Sequence, residues 1–589
     1  MTRGFAGSPC AVLLAVALCL GWGRAAGSDV TPPGAPAPGG GAAWTFVDAT
    51  AAAGLSAEHG FLPDTVLSEP HWMSGGAAAA DVDGDGWTDL FVVRGELGPG
   101  LLFRNRGDGT FEEIAAAIGL AVGGVGAITN GPAFGDVDGD GDPDLLLGGI
   151  EGAEPRLFAN QLDEPGVGRF VEVTADSGLF AGEDTFSSGF GDIDGDGDLD
   201  LFSAHWSGPV DGGLPAPHLW RNDGGVFLPI DFLSGVVEPY RLVDWTFTPR
   251  FVDLEDDGDL DLLVAGDFGT SQVFRNLGDG TFEVATTAAI DDENGMGAAL
   301  GDFDADGDFD WLVTSIWDPD GVNEAQWGVT GNRFYRNDGG SFSEVTDAAG
   351  VREGYWGWGV CAADFDLDGA LDVAHVNGFQ ALPAVDDFFV DPARLFLGQG
   401  DGSFVEASAV HGFTHTGQGR GIVCFDADRD GDIDVYVTSN EGPTTFYRNE
   451  RTAPGAWLGV RLLDAHGGPA VGAVVAVEAP SGAVGVPARQ IRRIHADSNY
   501  LSQDPAEAHF GLGALPLDAR VTLEIRWPDG TLEVVEEVAI GDWTTRRRGG
   551  SSVVDVPSLS AGGLVAFALV LLGLALASLR RTLYSAGGR

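Results

Sequence analysis

The chain contains no lysine. All 31 of its basic residues are arginine, set against 89 acidic ones, for a formal net charge of −58. A surface so poor in positive charge excludes nucleic acid as a partner, because phosphate binding needs basic patches. Cysteine is nearly as scarce, with 4 in 589 residues, so no disulfide scaffold organises the fold. Cys10 and Cys19 sit in an N-terminal targeting stretch. Cys361 and Cys424 lie three and two residues ahead of recurring acidic motifs, on equivalent strands of neighbouring repeats. The one-residue offset turns their side chains differently, and a buried pair of free thiols is expected.

Long apolar runs are confined to the two ends. Arg3, the apolar core 11–22 and the small residues Ala25, Ala26 and Gly27 make residues 1–27 a secretion signal. A Pro/Gly linker follows at 28–42. Near the other end, 562–581 forms a transmembrane or sorting helix closed by Arg580 and Arg581, after a linker and sorting motif at 546–561. The Val556-Pro557-Ser558 segment, the apolar run and the arginine pair together resemble bacterial PEP-CTERM/IPTL-CTERM sorting tails. That resemblance implies cleavage of the tail; a plain membrane anchor is the other reading.

What the chain has in abundance is one acidic nonapeptide, Asp-x-Asp-x-Asp-Gly-x-x-Asp, with variations. Copies start at Asp81, Asp136, Asp192, Asp253, Asp302, Asp364 and Asp426, at intervals of 49 to 62 residues. Carboxylates at alternate positions, with glycines that let the chain fold back, converge on one point. An oxygen-only, flexible cage suits Ca²⁺, with its 6–8 ligands, better than Mg²⁺. Zinc is disfavoured because no His or Cys belongs to the motif. The twelfth position is Val92 or Leu147, not Glu, and strands flank the loop, so this is no EF-hand.

The expected metal ligands are Asp81, Asp83, Asp85 and Asp89; Asp136, Asp138, Asp140 and Asp144; Asp192, Asp194, Asp196 and Asp200; Asp253, Glu255, Asp257 and Asp261; Asp302, Asp304, Asp306 and Asp310; Asp364, Asp366, Asp368 and Asp372; and Asp426, Asp428, Asp430 and Asp434. That allows up to seven Ca²⁺ sites. The fourth loop departs most, with Glu255 at position three and Asp256 in place of a glycine.

Around each acidic loop the same anatomy recurs. A small or apolar strand leads in and an apolar strand leaves. A third strand carries Leu-Phe-Arg-Asn or a variant, and a Gly-Asp-Gly-Thr-Phe turn leads to a fourth. Residues 43–450 are therefore read as an all-β, seven-bladed propeller. The seventh unit stops at Asn449, and Thr45-Phe46-Val47-Asp48 matches the strand it lacks, so the N-terminal strand is expected to complete the last blade. Residues 451–545 lack the motif and alternate apolar with polar positions, as in Val521-Thr-Leu-Glu-Ile-Arg-Trp. They make a small β domain.

Phe134-Gly135-Asp136 and Phe190-Gly191-Asp192 resemble the signature of FG-GAP/VCBS repeats, as in integrin-like propellers. Ser498-Asn499-Tyr500-Leu501-Ser502-Gln503, His509-Phe510-Gly511-Leu512-Gly513 and Trp527-Pro528-Asp529-Gly530 resemble the ASPIC/UnbV domain. Repeats and domain in this order are similar to the cartilage acidic protein family. The resemblance implies a secreted calcium-binding protein that acts through contacts, with calcium loops on one face and partners on the other.

Outside the acidic loops, the long loops 205–217, 316–332 and 376–391 carry Trp206, Trp317, Trp327, Phe388 and Phe389, and loops entering first strands add Trp245, Tyr355 and Trp356. Clustered on one rim, Trp206, Trp245, Trp317, Trp327 and Trp356 would suit a protein or glycan partner. Wedging between blades is the alternative. His509, with Tyr500, Ser502 and Asp504 nearby, is read as a histidine hydrogen-bonded to hold a turn rather than as a catalytic base. No catalytic constellation is identified. A binding or adhesion module is the leading function, and an extracellular glycan-acting enzyme or a structural envelope component are its rivals.

Overall fold

The computed structural model describes residues 43–162, 169–180, 183–209, 216–236, 238–240, 243–318, 328–379 and 388–549. The secretion signal, the Pro/Gly linker, Trp327 and the apolar run 562–581 lie outside the described residues. Among the described residues, no helix is long and apolar enough to cross a membrane.

Each acidic loop is the turn of a hairpin. Ala77–Ala80 runs into the first and Asp89–Val92 leaves it, with Ala80 opposite Asp89. Leu101–Asn105 and Phe111–Glu113 continue the same antiparallel sheet outward. The four-strand order repeats from Thr129–Gly135, Thr185–Gly191, Val243–Val252, Ala298–Gly301 and Gly357–Ala363. The third and fourth sheets also join through Trp206, which lies opposite Trp245. The last sheet holds Gly419–Phe425, Asp434–Ser439 and Thr445–Arg451, and its outer place is taken by Trp44–Asp48, with Phe46 opposite Asn449.

The first strands of successive sheets touch one another, and Gly419–Phe425 touches Ala77–Ala80. The sheets thus form a closed, propeller-like ring. Apolar clusters fill the gaps between neighbours. Val360, Val373 and Phe396 meet Phe303 and Phe334 in one gap. Across the closure, Phe425, Tyr436 and Phe446 meet Ala77, Leu90 and Phe103. At the periphery, one-turn helices such as Thr174–Ser177 end on a left-handed glycine. At Gly178 (φ 81°) an added Cβ would lie 2.7 Å from the Phe227 carbonyl of the next sheet, so only glycine permits both the turn and the approach.

Cys361 and Cys424 form a disulfide, with Cα atoms 6.4 Å apart, and the expected free thiols are corrected accordingly. Ile422 and Cys424 face the sixth sheet while Val423 and Phe425 face the first; Cys361 faces the seventh while Val360 faces the fifth. Residues that meet across a gap project from opposite faces of their sheets, so a one-residue offset brings the sulfurs together.

After Arg451 the chain builds two smaller sheets. One places Trp457–Leu463 between Ala508–Gly511 and Trp543–Arg547; the other orders Arg489–Arg493, Val474–Glu478, Arg520–Arg526 and Leu532–Ala539. Leu458, Val460, Val475, Phe510, Leu523, Ile525 and Trp527 pack together as their core. From this domain, residues 496–504 run into the centre of the ring and reach all of its sheets. Gln503 N–H donates to Ala77 O (3.0 Å), Phe190 N–H to Ala496 O (3.0 Å) and Ala298 N–H to Asn499 O (3.4 Å). Phe251 N–H donates to Asp497 Oδ2 (3.0 Å) and Cys424 N–H to Asp504 Oδ1 (2.7 Å). The Gln503 side chain bonds Phe134, and the Tyr500 ring lies 5.2 Å from that of Trp358.

Candidate metal centres and the covered face

Three positions of each acidic loop have distinct surroundings. The ninth residue is buried in all seven loops. Its Oδ2 accepts from the backbone of the second residue, as Asp200 does from Ile193 (3.0 Å), and its Oδ1 accepts from the third strand, as Asp200 does from Asn222 N–H (2.8 Å). The first residue accepts from the N–H of the sixth: Gly86 to Asp81 (2.8 Å), Gly197 to Asp192 (3.0 Å), Gly431 to Asp426 (3.0 Å). The fifth residue is exposed throughout. Each loop is therefore a carboxylate cup, anchored at its ninth residue and open at its fifth.

Carboxylate oxygens within 4.8 Å of one another are brought together in Asp81, Asp83 and Asp85; Asp136, Asp138 and Asp144; Asp192, Asp194 and Asp200; Asp302, Asp304 and Asp306; and Asp364, Asp366 and Asp372. Burial pushes Asp81 and Asp136 up to about 7 and Asp144, Asp200 and Asp310 up to about 8. Neighbouring carboxylates push the same way. Asp81 Oδ1, Asp83 Oδ2, Asp194 Oδ1, Asp304 Oδ1 and Asp426 Oδ1 are buried without a hydrogen-bond partner. Orphaned, crowded, oxygen-only donors are what a hard divalent cation satisfies, so these residues fit Ca²⁺.

The asparagine that ends the third strand, a residue whose role the repeat pattern alone does not reveal, links neighbouring sheets. Asn222 Nδ2 donates to Val137 O (2.7 Å), Asn160 Nδ2 to Val82 O (2.9 Å) and Asn449 Nδ2 to Phe365 O (3.0 Å), each acceptor being the second residue of the preceding acidic loop. Asn recurs at this place in six of the seven units, preceded by Arg in five of them. Gly398 stands there in the sixth sheet.

The C-terminal domain lies on the acidic-loop side. Trp543 Nε1 donates to Asp426 Oδ2 (3.2 Å), Arg461 bonds Gly86 O, and Arg526 pairs with Asp253. Leu367, the fourth residue of its loop, packs with Trp457 and Trp543. A Cβ at Gly511 would run into Asp364. His509 stacks on Trp457 at 5.7 Å, and burial lowers its pKa to about 3. Its ring lies against the backbone of Gly431 in the seventh acidic loop and packs between the C-terminal domain and that loop. Tyr500 Oη donates to Met73 O (2.9 Å) and Ser502 Oγ accepts from Ala77 N–H (3.1 Å), away from any nucleophilic pairing with it.

At the opposite end, Trp206 and Trp245 are half-buried with centroids 4.5 Å apart, and exposed Phe268 lies edge-on to Trp245 at 5.1 Å. Trp206 Nε1 donates to Asp267 (3.1 Å). Trp317 is half-buried, with the Arg352 guanidinium 5.9 Å from its ring. Trp356 is buried and stacked on Phe379 at 4.0 Å, and Phe388 packs edge-on against it. Those two are wedges between sheets, not rim residues.

The FG-GAP-like repeat family model matches residues 65–147, 192–264, 253–313, 318–375 and 385–437, and the ASPIC and UnbV model matches 464–552. Cartilage acidic protein 1 of Xenopus tropicalis is 27% identical over 504 residues, covering 80% of this chain and 73% of the relative; its Mus musculus counterpart is 27% identical over 503 residues with the same coverage. Among solved structures, a Bacillus licheniformis rhamnogalacturonan lyase aligns with 69% of this chain and 75% of its own at 14% identity, with a TM-score of 0.34. That likeness is too loose to bear on activity. The chain belongs to the FG-GAP-like repeat family, carries an ASPIC and UnbV domain after its repeats, and is homologous to cartilage acidic protein 1.

Proposed function

We propose that the protein is a secreted or surface-displayed binding module. In this reading the ring is a seven-bladed β-propeller, its acidic loops hold calcium, and the end away from them meets a protein or glycan partner. Calcium draws support from the buried carboxylate oxygens that lack any hydrogen-bond partner. One observation carries the choice of face. The C-terminal domain covers the acidic loops at Gly86, Asp253 and Asp426, which leaves Trp206, Trp245 and Phe268 on the uncovered end. Aromatic faces beside a carboxyl group, here Asp267, suit sugar rings or apolar peptide side chains. Export by the N-terminal signal, and anchoring or sorting by the C-terminal run, complete the proposal.

Binding is favoured over glycan cleavage because the histidines near the long loops are buried in the fold. His218 pairs with Asp244 at 3.1 Å and stacks on Tyr240, and His375 is likewise buried. The test is a pull-down and glycan array with wild type and Trp245→Ala/Phe268→Ala, alongside a turnover assay on extracellular polysaccharides. Capture that the double variant loses supports the reading. Equal capture by both moves the partner elsewhere, and bond cleavage establishes the enzyme.

A further inference from the structure

The fourth acidic loop, residues 253–261, differs from the others in what its carboxylates touch. Glu255 is one methylene longer than the aspartate at this position in the other loops. It reaches Arg275 on the third strand of its own sheet, with Nε 2.5 Å from Oε1. The equivalent Arg104 stays 3.9 Å from Asp83, and Arg448 stays 3.6 Å from Asp428. From the other side comes Arg526, at the end of Arg520–Arg526 in the C-terminal domain. Its Nη1 lies 3.1 Å from Asp253 Oδ2 and also bonds Asp256, which stands where the first three loops carry glycine. Asp253 accepts from Asp257 and Gly258 N–H as well, both at 3.0 Å. Asp81 and Asp426, at the same place in the first and seventh loops, each keep a buried oxygen without a partner, whereas in the fourth loop the unpartnered buried oxygen is Glu255 Oε2, the other oxygen of the carboxylate beside Arg275.

We propose that this loop holds the guanidinium groups of Arg526 and Arg275 in place of a divalent cation, and so serves as an ionic latch that docks the C-terminal domain on the ring. A planar guanidinium meets two carboxylates at once, as Arg526 does with Asp253 and Asp256. A divalent ion in the same cup would face two fixed positive charges within contact range. The contrast with the other loops rests on the calcium reading above; the latch itself rests on the arginine contacts.

The experiment is hydrogen exchange on the full chain, resolved by mass spectrometry, for wild type and Arg526→Gln, with and without excess chelator. Chelator should speed exchange in the other six acidic loops by about tenfold or more and leave residues 253–261 unchanged. Arg526→Gln should open residues 253–261 by about tenfold whether or not chelator is present, and raising NaCl to about 1 M should act in the same direction. Opening of 253–261 by chelator in parallel with the other six overturns the latch. So does an Arg526→Gln variant that exchanges like wild type there. If chelator changes none of the six while Arg526→Gln still opens the fourth, the calcium reading falls and the latch stands.

Discussion

The side-chain amide of Gln503 takes both backbone groups of Phe134, accepting from its N–H at 2.6 Å and donating to its carbonyl at 2.9 Å. Both residues are buried. A side chain of the C-terminal domain thus does for the second sheet what a neighbouring strand would do. Gln503→Ala leaves a buried N–H and C=O without partners, and about 2–3 kcal/mol of stability should go with them. Denaturant unfolding followed by tryptophan fluorescence checks this. An unchanged midpoint would mean that the central loop is not held through this residue.

Calcium removal should couple to pH. Burial raises Asp144, Asp200 and Asp310 to about 8 and Asp81 and Asp136 to about 7. Between about pH 4 and pH 8 the folded, metal-free protein then binds more protons than the unfolded chain, so its stability falls as pH rises. With excess chelator, the melting temperature should drop by several degrees from about pH 5 to about pH 8, and saturating Ca²⁺ should restore it at the upper end. Differential scanning calorimetry at both pH values reads this out. Identical melting with and without chelator at pH 8 removes the cation from the argument.

Asn222 offers a test of the links between sheets. Its Nδ2 bonds Val137 O and its Oδ1 accepts from Gly225 N–H at 2.9 Å. Asn222→Ala should cost about 1–3 kcal/mol by leaving a buried carbonyl unsatisfied. Asn222→Asp keeps the acceptor and loses the donor, so it should be destabilised as well. Urea midpoints of the three proteins decide the point.

The disulfide between Cys361 and Cys424 closes 63 residues and clamps the sixth sheet to the seventh. Cys361→Ala/Cys424→Ala should lower stability by about 2–4 kcal/mol. The same loss should appear when the wild type is fully reduced, and the variant should be indifferent to reductant. Thermal melts with and without dithiothreitol check both statements.

Legibility in the sequence followed periodicity. The acidic positions recur, so the hairpin turns they occupy could be placed, and Thr45-Phe46-Val47-Asp48 could be matched to the strand missing after Asn449. The central loop 496–504 could not, because its partners lie up to 427 residues away at Met73 and share no period with it. The cysteine pairing is not legible from one strand's alternation alone: facing sheets present opposite faces to their common gap, so a one-residue offset permits the bond. The arginines on the fourth loop were hidden likewise. Arg526 belongs to an ordinary alternating strand, and only docking sets its guanidinium against Asp253. Trp356 and Phe388 matched the composition of a partner rim, yet packing claimed them first.

The strand Trp44–Asp48 sits beside Thr445–Arg451. Synthesis from the N-terminus therefore delivers the first strand of the ring some 400 residues before the neighbour that receives it. Until then an unpaired edge is presented by whatever has already assembled. The ring thus cannot close before its last strand has been made. The central loop, emerging later still, can settle only into a circle already closed or closing around it.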